Sequence, residues 1–488
     1  LQIITNQTRF NIQTKKKKTK NKKVQKIIST LIFLLSSSLA FSQADTARIL
    51  TFESFMDIVR EHHPVARQAD LQLVMGEGKL MKARGSFDPK LYNNLGQKYF
   101  EGKEYFSLLD AGLKVPTWFG IELKAGMEQN RGIYLDPENS TPSSGLWYAG
   151  ISLPVGQGLF IDKRRAELQK AKIYQRSTEV ERRLILNELL YEAGKAYWEF
   201  FKAYNQLRVY QNALELTRVR FQAVSQGAKL GDRAPIDTLE AGIQLQNRQL
   251  SLQQAELDFA NSRAMLSVFL WAEGTVPLEI PEETYPPESE TLDALEIEPQ
   301  FILQLEEFTR AHPNLQQYQY KLEQLVVDQR LKREQLKPVI NLQYNPLTQV
   351  TNESPLNNYN LNNYKWGIEF GFPVFLRKER GDLKLAEAKI QETRWEMDNK
   401  REVIFNKIQM ALNEWNTTKN QFDLYQQTVR DYALLLAGER QKFDIGESSL
   451  FLVNSSEVSY IQAQIKLIDI QTKNRKAGLT SKYALGIL

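Results

Sequence analysis

The stretch that decides the fold is residues 147–155, Trp-Tyr-Ala-Gly-Ile-Ser-Leu-Pro-Val, because it returns as residues 366–374, Trp-Gly-Ile-Glu-Phe-Gly-Phe-Pro-Val. Two further motifs return in the same order: His63-Pro64 as His312-Pro313, and residues 205–211 (Asn-Gln-Leu-Arg-Val-Tyr-Gln) as residues 420–426 (Asn-Gln-Phe-Asp-Leu-Tyr-Gln). A period of roughly 215 to 250 residues is too long for the unit of a solenoid. The sequence therefore predicts an internal duplication. Each copy runs from a short helix through alternating strands to a long helical pair.

Both copies contain segments in which apolar residues alternate with polar or small ones. These segments are residues 121–128 and 147–153 in the first copy, and residues 340–345 and 366–372 in the second. A period of two places the two sets of side chains on opposite faces of a sheet. The pattern is typical of outer-membrane barrel strands, which are apolar toward lipid and polar toward the lumen, but a soluble antiparallel sheet has the same alternation. The strands by themselves leave both alternatives open.

Each copy also contains a very long helical segment. Residues 166–227 have no proline and one interior glycine, Gly194, and residues 383–444 have Gly438 in the same role. About 60 residues at 1.5 Å each give a helix on the order of 90 Å long. Apolar residues recur at every seventh position, and they are Phe200, Leu207, Leu214 and Phe221, then Ile408, Trp415, Phe422, Val429, Leu436 and Phe443. This spacing predicts a coiled-coil seam.

The two copies differ in length between the first motif and the strands. The His-Pro pairs are 249 residues apart, whereas the Pro-Val pairs at Pro154 and Pro373 are 219 apart. The first copy therefore has 30 additional residues between His63 and Pro154. Residues 99–116 are the candidate for an additional hairpin in this interval, and this hairpin is expected to lie outside any part of the sheet that crosses a membrane.

The N-terminus predicts the compartment. Residues 15–26 are basic, residues 27–35 are mostly apolar, and small residues follow at Ala40 and Ser42, so residues 1–42 are expected to be a secretory signal peptide. Removing its nine basic residues from the 63 in the chain leaves 54, against 58 acidic residues. This balance gives no electrostatic basis for binding nucleic acid. No other segment has about 18 consecutive apolar residues, so no transmembrane helix is predicted.

Enzyme chemistry is not indicated. The chain has no cysteine, which excludes disulfides and thiolate metal sites, and its histidines are His62, His63 and His312, without metal-ligand spacing. It contains neither a P-loop nor a Gly-x-Ser-x-Gly motif, and Gly156-Gln-Gly158 is interpreted as a strand-to-helix connector. The His-Pro pairs are interpreted as helix starts. We therefore expect no catalytic site, cofactor or metal.

With the duplicated order established, the chain closely resembles the TolC-type outer-membrane efflux proteins, over about Thr51 to Leu488. The motifs that carry the resemblance are the two His-Pro pairs, the strands ending in Leu-Pro-Val or Phe-Pro-Val before a long helix, and the two glycine turns that reverse the helices. The resemblance implies a trimeric 12-stranded β-barrel, four strands from each protomer, continuous with a long 12-helix α-barrel. Four strands are too few to close a barrel alone, which also predicts oligomerisation.

The same resemblance predicts the division of the chain. Residues 1–42 are the signal peptide, residues 43–275 the first repeat, residues 276–300 a linker rich in proline and glutamate, and residues 301–488 the second repeat. The location implied is the outer membrane, with the helical part in the periplasm.

The helical turns carry the predicted site. They are Leu230-Gly231-Asp232 and Ile445-Gly446-Glu447, and glycine is a natural helix stop, so a plain turn would account for the glycines alone. The resemblance implies in addition that both turns form a periplasmic tip that closes the channel and docks an adaptor. Family members often constrict this tip with aspartates on the second return helix, where this chain has Leu452 and Ser455. Asp232, Asp237 and Glu447 are the candidates for a gate that favours cations.

The predicted function is a passive exit duct for small molecules in a tripartite efflux or type I secretion system. The predicted partners are two further copies of the chain, outer-membrane lipid, a periplasmic adaptor and an inner-membrane pump. The alternative is a soluble periplasmic coiled-coil adaptor, whose helical hairpin would look similar. Adaptors have one such hairpin, flanked by soluble β-domains, whereas here the order of strands and hairpin occurs twice.

Overall fold

The structure is a computed structural model that describes residues 48–292, 307, 311–349, 360 and 362–488. The predicted signal peptide, residues 293–300 of the predicted linker and residues 301–306 lie outside the described residues. The chain separates into two units. One comprises Leu1–Leu50 and Pro281–Tyr285, and the other comprises Thr51–Ile280 and Pro286–Leu488.

The helices follow the predicted order, and in chain sequence they are α1 (Phe52–His62), α2 (Pro64–Arg84), α3 (Lys163–Leu230), α4 (Pro235–Ser267), α5 (Pro313–Glu334), α6 (Arg377–Asp444) and α7 (Leu450–Leu485). The strands are β1 (Arg48–Ile49), β2 (Lys90–Phe100), β3 (Lys103–Pro116), β4 (Glu122–Arg131), β5 (Leu146–Pro154), β6 (Trp271–Ala272), β7 (Val276–Pro277), β8 (Thr284–Tyr285), β9 (Val339–Thr348) and β10 (Tyr364–Gly371). In the smaller unit, β1 pairs with β8 in parallel. All other elements belong to the larger unit.

The main sheet of the larger unit has six strands in the order β10-β9-β5-β4-β3-β2, and every neighbouring pair is antiparallel. The β5–β9 pairing joins the two copies, with Ile151 opposite Tyr344. The four predicted strand segments are present as β4, β5, β9 and β10. The resemblance implied four strands from each protomer, whereas this sheet has six.

The two additional strands form the hairpin that the sequence placed at residues 99–116. The turn of the hairpin lies at Glu101-Gly102, where both residues have positive φ (50° and 73°). Its first strand, β2, begins at Lys90, nine residues before the predicted start of the hairpin at residue 99. The alternation in β2 is weak because Asn93 and Gln97 interrupt its apolar face. This irregularity explains why the sequence pattern indicated only the second half of the hairpin.

The duplication is most regular in the helices. The long helices α3 and α6 contain 68 residues each, which corresponds to about 100 Å of helix. The predicted seam is buried at most of its positions, including Phe200, Ile408, Trp415 and Phe422. Ile408 packs with Ile404 of the same helix, with Leu315 of α5 and with Leu485 of α7, so the seam connects several helices.

The His-Pro pairs start helices, as predicted. The His63 Nδ1 atom accepts a hydrogen bond from the N–H of Val65 at 3.1 Å, and His312 Nδ1 accepts one from the N–H of Asn314 at 3.1 Å. The proline that follows each histidine occupies the first turn of its helix, where no intrahelical N–H is needed. Each histidine is therefore the N-cap of α2 or α5.

Candidate functional site

The two helical turns have the same hydrogen-bonding geometry. At the end of α3, Gly231 has φ +83°, and the N–H of Asp232 donates to the carbonyl of Gly227 at 2.9 Å. At the end of α6, Gly446 has φ +82°, and the N–H of Glu447 donates to the carbonyl of Lys442 at 2.8 Å. Both turns satisfy the last helical carbonyls through a left-handed residue. The positive φ explains why glycine is needed at both positions.

The structure brings the two turns together at one end of the helical pairs. Val224 of α3, Ala241 of α4 and Leu450 of α7 form a buried cluster, with Phe443 of α6 packed against it. The guanidinium of Arg233, in the first turn, lies 4.3 Å from the ring centroid of Phe443. This distance is within the range of a cation–π interaction. The two predicted turns thus form a single composite end in which all four long helices take part.

The predicted gate carboxylates lie at this end of the helices. Asp232 and Glu447 are exposed, one after each glycine, and Asp237 is half-buried in the first turn of α4. Within the described part of the chain, none of the three forms an ion pair. A carboxylate in the first turn of a helix is stabilised by the helix dipole, which accounts for Asp237 without a functional role.

Apolar side chains surround these carboxylates. Leu230, Ile236 and Leu239 lie exposed at the first turn, and Ile445, Phe451 and Leu452 lie exposed at the second. Leu452 and the exposed Ser455 occupy the region in which the family often has aspartates. The two turns therefore combine exposed apolar side chains with exposed charged ones, which are Lys229, Asp232, Arg233, Asp444 and Glu447.

A buried polar network behind the tip was missed by the sequence interpretation. Glu457 of α7 is 3% exposed and pairs with Arg220 of α3, while Arg440 of α6 lies 3.6 Å from the same carboxylate. Asn454 connects this pair to α4, because its amide donates to Glu240 at 2.9 Å and its oxygen accepts from Arg220 at 3.0 Å. All four long helices contribute to the network.

Burial makes this network sensitive to the loss of either partner, because an unpaired charge in the interior is strongly destabilising. The hydroxyl of Thr217, which donates to the carbonyl of Ala213 at 2.8 Å, also lies 3.3 Å from the second oxygen of Glu457. Arg220 and Glu457 are 237 residues apart. With this separation in sequence, no local pattern identifies the two residues as partners.

The main sheet has two faces of opposite character. One face is polar, and the register places on it Tyr92, Asn94, Asp110, Lys114, Lys124, Glu128, Tyr148, Asn341, Gln343, Asn345, Lys365 and Glu369. The other face is apolar, and it carries Leu91, Leu95, Leu109, Leu113, Leu123, Met127, Trp147, Ile151, Leu342, Tyr344, Trp366, Ile368 and Phe370. Each strand contributes to both faces, in agreement with the predicted alternation.

Among the residues that the structure describes, many side chains of the apolar face remain exposed. Leu91, Trp366 and Phe370 are 86%, 62% and 69% exposed. A contiguous exposed apolar surface of this extent marks a binding or membrane surface rather than the exterior of a soluble monomer. The polar face, in contrast, contains ion pairs such as that between Lys365 and Glu128, at 3.1 Å.

A group of three side chains on the polar face joins distant strands. Tyr92 of β2 and Tyr148 of β5 reach toward each other over Gly112 and Gly126, and their hydroxyl groups are hydrogen-bonded. The Tyr148 hydroxyl donates to the Asp110 carboxylate at 2.8 Å, which leaves the Tyr92 hydroxyl to donate to Tyr148, and the Tyr92 oxygen lies 3.3 Å from the same carboxylate oxygen. A Cβ at Gly126 would lie 2.8 Å from the Tyr148 hydroxyl, so the two glycines leave room for the tyrosines.

Among the described residues, no group of three or more histidine, aspartate or glutamate side chains is arranged to hold a metal ion. No helix within the described ranges is both long and apolar enough to cross a membrane.

Comparisons with known proteins address the identity of this fold. Residues 305–481 match the model of the family described as outer membrane efflux protein. The CmeC outer membrane channel of Campylobacter jejuni is 14% identical, with a TM-score of 0.62 over 89% of this chain and 85% of that chain. The MtrE outer membrane channel of Neisseria gonorrhoeae, in its open state, is also 14% identical, with a TM-score of 0.64 over 89% of this chain and 88% of that one.

The outer membrane protein VceC of Vibrio cholerae is 13% identical, with a TM-score of 0.61 over 89% of this chain and 96% of that chain. A sequence search of curated proteins finds no match. At these identities the structural matches establish the fold alone, and the family match adds the relationship in the second repeat.

The fold, with its paired long helices and its sheet, is similar to that of solved outer-membrane channels. Its second repeat carries an outer membrane efflux protein domain, and the resemblance to the TolC-type outer-membrane efflux proteins is confirmed. The outer-membrane location is confirmed by the same family match. No family of enzymes is indicated, and the alternative of a soluble periplasmic adaptor is not supported.

Proposed function

We propose that three copies of this chain form a passive exit duct for small molecules through the outer membrane, as part of a tripartite efflux or type I secretion system. The observation that carries the proposal is the exposed six-stranded sheet, polar on one face and apolar on the other. Such a sheet has two open edges, β2 and β10, and open edges are not tolerated within lipid. Further copies of the chain would cover them and place the polar face around a lumen.

The helical end supports the second part of the proposal. The turns at Gly231 and Gly446 form the periplasmic tip, dock a periplasmic adaptor and are opened by an inner-membrane pump acting through it. The residues proposed for docking are Leu230, Gly231, Asp232, Ile445, Gly446 and Glu447. Their exposed apolar side chains, beside the carboxylates, suit a protein partner with a mixed surface.

Asp232, Asp237 and Glu447 are proposed to give the closed tip its preference for cations. Threefold symmetry converts each carboxylate into a ring of three, and rings of carboxylates attract cations and repel anions. No energy source is needed within the channel itself, because the pump supplies it.

The test uses mature protein, beginning at Gln43, extracted from outer membranes in mild detergent. We expect a trimeric mass and, in a planar bilayer, a small conductance with cation preference. The triple variant Asp232→Asn, Asp237→Asn, Glu447→Gln is expected to lose that preference, while the trimer remains. Protein that is found in the soluble periplasmic fraction, or that never conducts, would contradict the proposal.

A matched control is Asp423→Asn, an exposed carboxylate on α6 about 30 Å of helix from the second turn. It changes the protein charge per protomer by the same amount as any single tip substitution. Its ion preference is expected to equal that of the parent channel. A reduced preference in this control would show that net charge, rather than the tip, sets selectivity.

A further inference from the structure

We propose that the β2–β3 hairpin is part of the membrane wall, so that each protomer contributes six strands and the trimer closes an 18-stranded barrel. This inference rests on the proposed function. It replaces the four strands per protomer, and the 12-stranded barrel, that the resemblance implied. The occupant of the open β2 edge is then strand β10 of a second copy of this chain.

The register places the hairpin at the same level as the other strands. β3 pairs with β4 from Ser107 opposite Arg131 to Pro116 opposite Glu122. β2 pairs with β3 from Lys90 opposite Lys114 to Phe100 opposite Lys103. The row through Leu91 passes Leu113 and then Ala125 of β4, so β2 lies beside β4 and β5 rather than beyond their ends.

The chemistry of the two faces continues across the hairpin. On β3, Leu109, Ala111 and Leu113 lie on the apolar face, while Asp110 lies on the polar face. On β2, Leu91 and Leu95 are apolar and exposed, by 86% and 61%. A soluble hairpin outside the membrane has no reason to expose a row of leucines on the face that is apolar in the other four strands.

Two polar residues, Asn93 and Gln97, interrupt the apolar face of β2. The amide of Gln97 donates to the Ser107 hydroxyl at 3.0 Å, and Ser107 lies directly opposite on β3. This bond reduces the cost of placing the glutamine toward lipid.

Side chains also fasten the hairpin to the rest of the sheet. Tyr92 reaches across β3 and β4 to the hydroxyl of Tyr148, which in turn donates to Asp110. This bridge lies on the polar face, which surrounds the lumen in the proposed channel. Displacing the hairpin to make β4 the edge strand would break the bridge and the entire β3–β4 ladder.

The consequence is a wider barrel. Because barrel diameter grows roughly linearly with strand number, 18 strands give about one and a half times the diameter of 12. Barrels of 16 to 18 strands leave a water-filled lumen, so the membrane part would not be the narrowest point of the duct. The helical tip would then restrict the size of the molecules that pass.

Disulfide cross-linking between protomers tests the edge pairing, and the chain has no cysteine of its own. Leu95→Cys on β2 is combined in turn with Trp366→Cys, Ile368→Cys and Phe370→Cys on β10. The scan is necessary because the stagger of the closed barrel is not known in advance. Within one protomer, β2 and β10 are five strand spacings apart, roughly 24 Å along the sheet, so an efficient disulfide must join two protomers.

The competing 12-stranded arrangement is tested with the same β10 variants combined with Ala125→Cys or Met127→Cys on β4. Single-cysteine variants measure random cross-linking. We expect covalent dimers and trimers on a denaturing gel for at least one β2–β10 pair, and no more than background for the β4–β10 pairs. Efficient β4–β10 cross-links in a conducting trimer would overturn the six-strand wall and leave the proposed function intact.

Counting the strands of the barrel directly tests the inference even if the cysteine variants fold poorly. Electron cryomicroscopy of the unmodified protein in lipid nanodiscs is expected to show 18 strands around the barrel. A trimer with 12 strands and a displaced hairpin would refute the inference. The absence of any trimer in membranes, by contrast, would count against the proposed function itself.

Discussion

The two copies of the repeat have long helices of equal length but different numbers of strands. Helices α3 and α6 both contain 68 residues and end in equivalent glycine turns, whereas the first copy supplies β2 to β5 and the second only β9 and β10. Equal lengths of α3 and α6 allow both helices to run from the sheet to the same end, where their turns pack together. A sheet can grow at its edge without disturbing the rest, and this difference in constraint accounts for the uneven repeats.

The largest loss of stability is expected from a substitution at a position where the two copies have different residues. Counted from the turn glycines, Glu457 corresponds to Gly242 of the first copy, so the buried carboxylate is supplied by one copy alone. Glu457→Ala would remove a buried carboxylate and leave the half-buried Arg220 without its charged partner, and it is expected to lower the free energy of unfolding by about 3 kcal/mol. Urea unfolding followed by far-ultraviolet circular dichroism in detergent measures this change.

A surface ion pair on α3 provides the control for that substitution. Glu215 is exposed and lies 3.3 Å from Arg218, and Glu215→Ala is expected to change stability by no more than about 0.5 kcal/mol. A double-mutant cycle with Arg220→Ala separates the pair from other effects. An effect of Glu457→Ala as small as that of Glu215→Ala would mean that the network contributes little.

The second-largest effect is the pH dependence of stability that arises from the two capping histidines. Burial lowers the pKa of His312 to about 4, against a hydrogen bond to Ala484 that raises it, and the charge of Lys400 lowers it further. In the unfolded chain the imidazole has a pKa of 6.5, so between pH 6.5 and 4 the unfolded state binds a proton that the folded state does not. Stability is therefore full above pH 6.5 and falls as the pH decreases toward 4, by roughly 3 kcal/mol at most.

Asparagine is a good N-cap without a titratable ring, so His312→Asn separates capping from protonation. Thermal melts between pH 7 and pH 4 are expected to show a flatter pH dependence in His312→Asn than in the parent. Burial also lowers the pKa of His63, so His63→Asn is the matched variant in the first copy. An unchanged pH profile in both variants would show that other groups control acid stability.

Local patterns predicted much of this molecule. The seventh-position spacing predicted the buried seam at Ile408 and Trp415, the His-Pro pairs predicted two helix starts, and Gly231 and Gly446 predicted the helix ends. Each of these signals is contained within a few residues, because caps, turns and seams depend on local geometry.

The features that could not be predicted from the sequence depend on contacts between residues far apart in the chain. The register that aligns Tyr92 with Tyr148 passes through two intervening strands, and the partner of Glu457 lies in the other copy. Strand β2 was missed because Asn93 and Gln97 weaken its alternation. Gate roles for Asp232, Asp237 and Glu447 remain predictions, since they concern the assembled tip.

The third prediction concerns the stability lost when the glycine of each turn is replaced, and it tests whether the two turns are equivalent. Gly231→Ala and Gly446→Ala force alanine to a φ above +80° and are each expected to lower the free energy of unfolding by about 1–2 kcal/mol. Gly438→Ala is the control, because Gly438 is inside α6 with open space around its Cβ position. That change is expected to stabilise the protein by about 0.5–1 kcal/mol.

Unequal losses at the two turn glycines, measured by urea unfolding, would distinguish the turns despite their common geometry. The first turn has the additional contact of Arg233 with Phe443, which could compensate for strain at Gly231. Combining Gly231→Ala with Arg233→Gln removes that contact. A larger loss in the combined variant than the sum of the single losses would show that the contact supports the first turn.

The smallest effect concerns the extra strands of the first copy. Tyr92→Phe removes a hydroxyl that bonds to Tyr148 and lies 3.3 Å from Asp110, and it is expected to cost about 0.5–1.5 kcal/mol. Tyr148→Phe is expected to cost more, because its bond to the Asp110 carboxylate is shorter, at 2.8 Å. The temperature at which the trimer dissociates on a semi-native gel measures both changes. Tyr105→Phe, on the same hairpin but outside this group, is the control, and equal behaviour of all three variants would mean that the bridge does not hold β2 to the sheet.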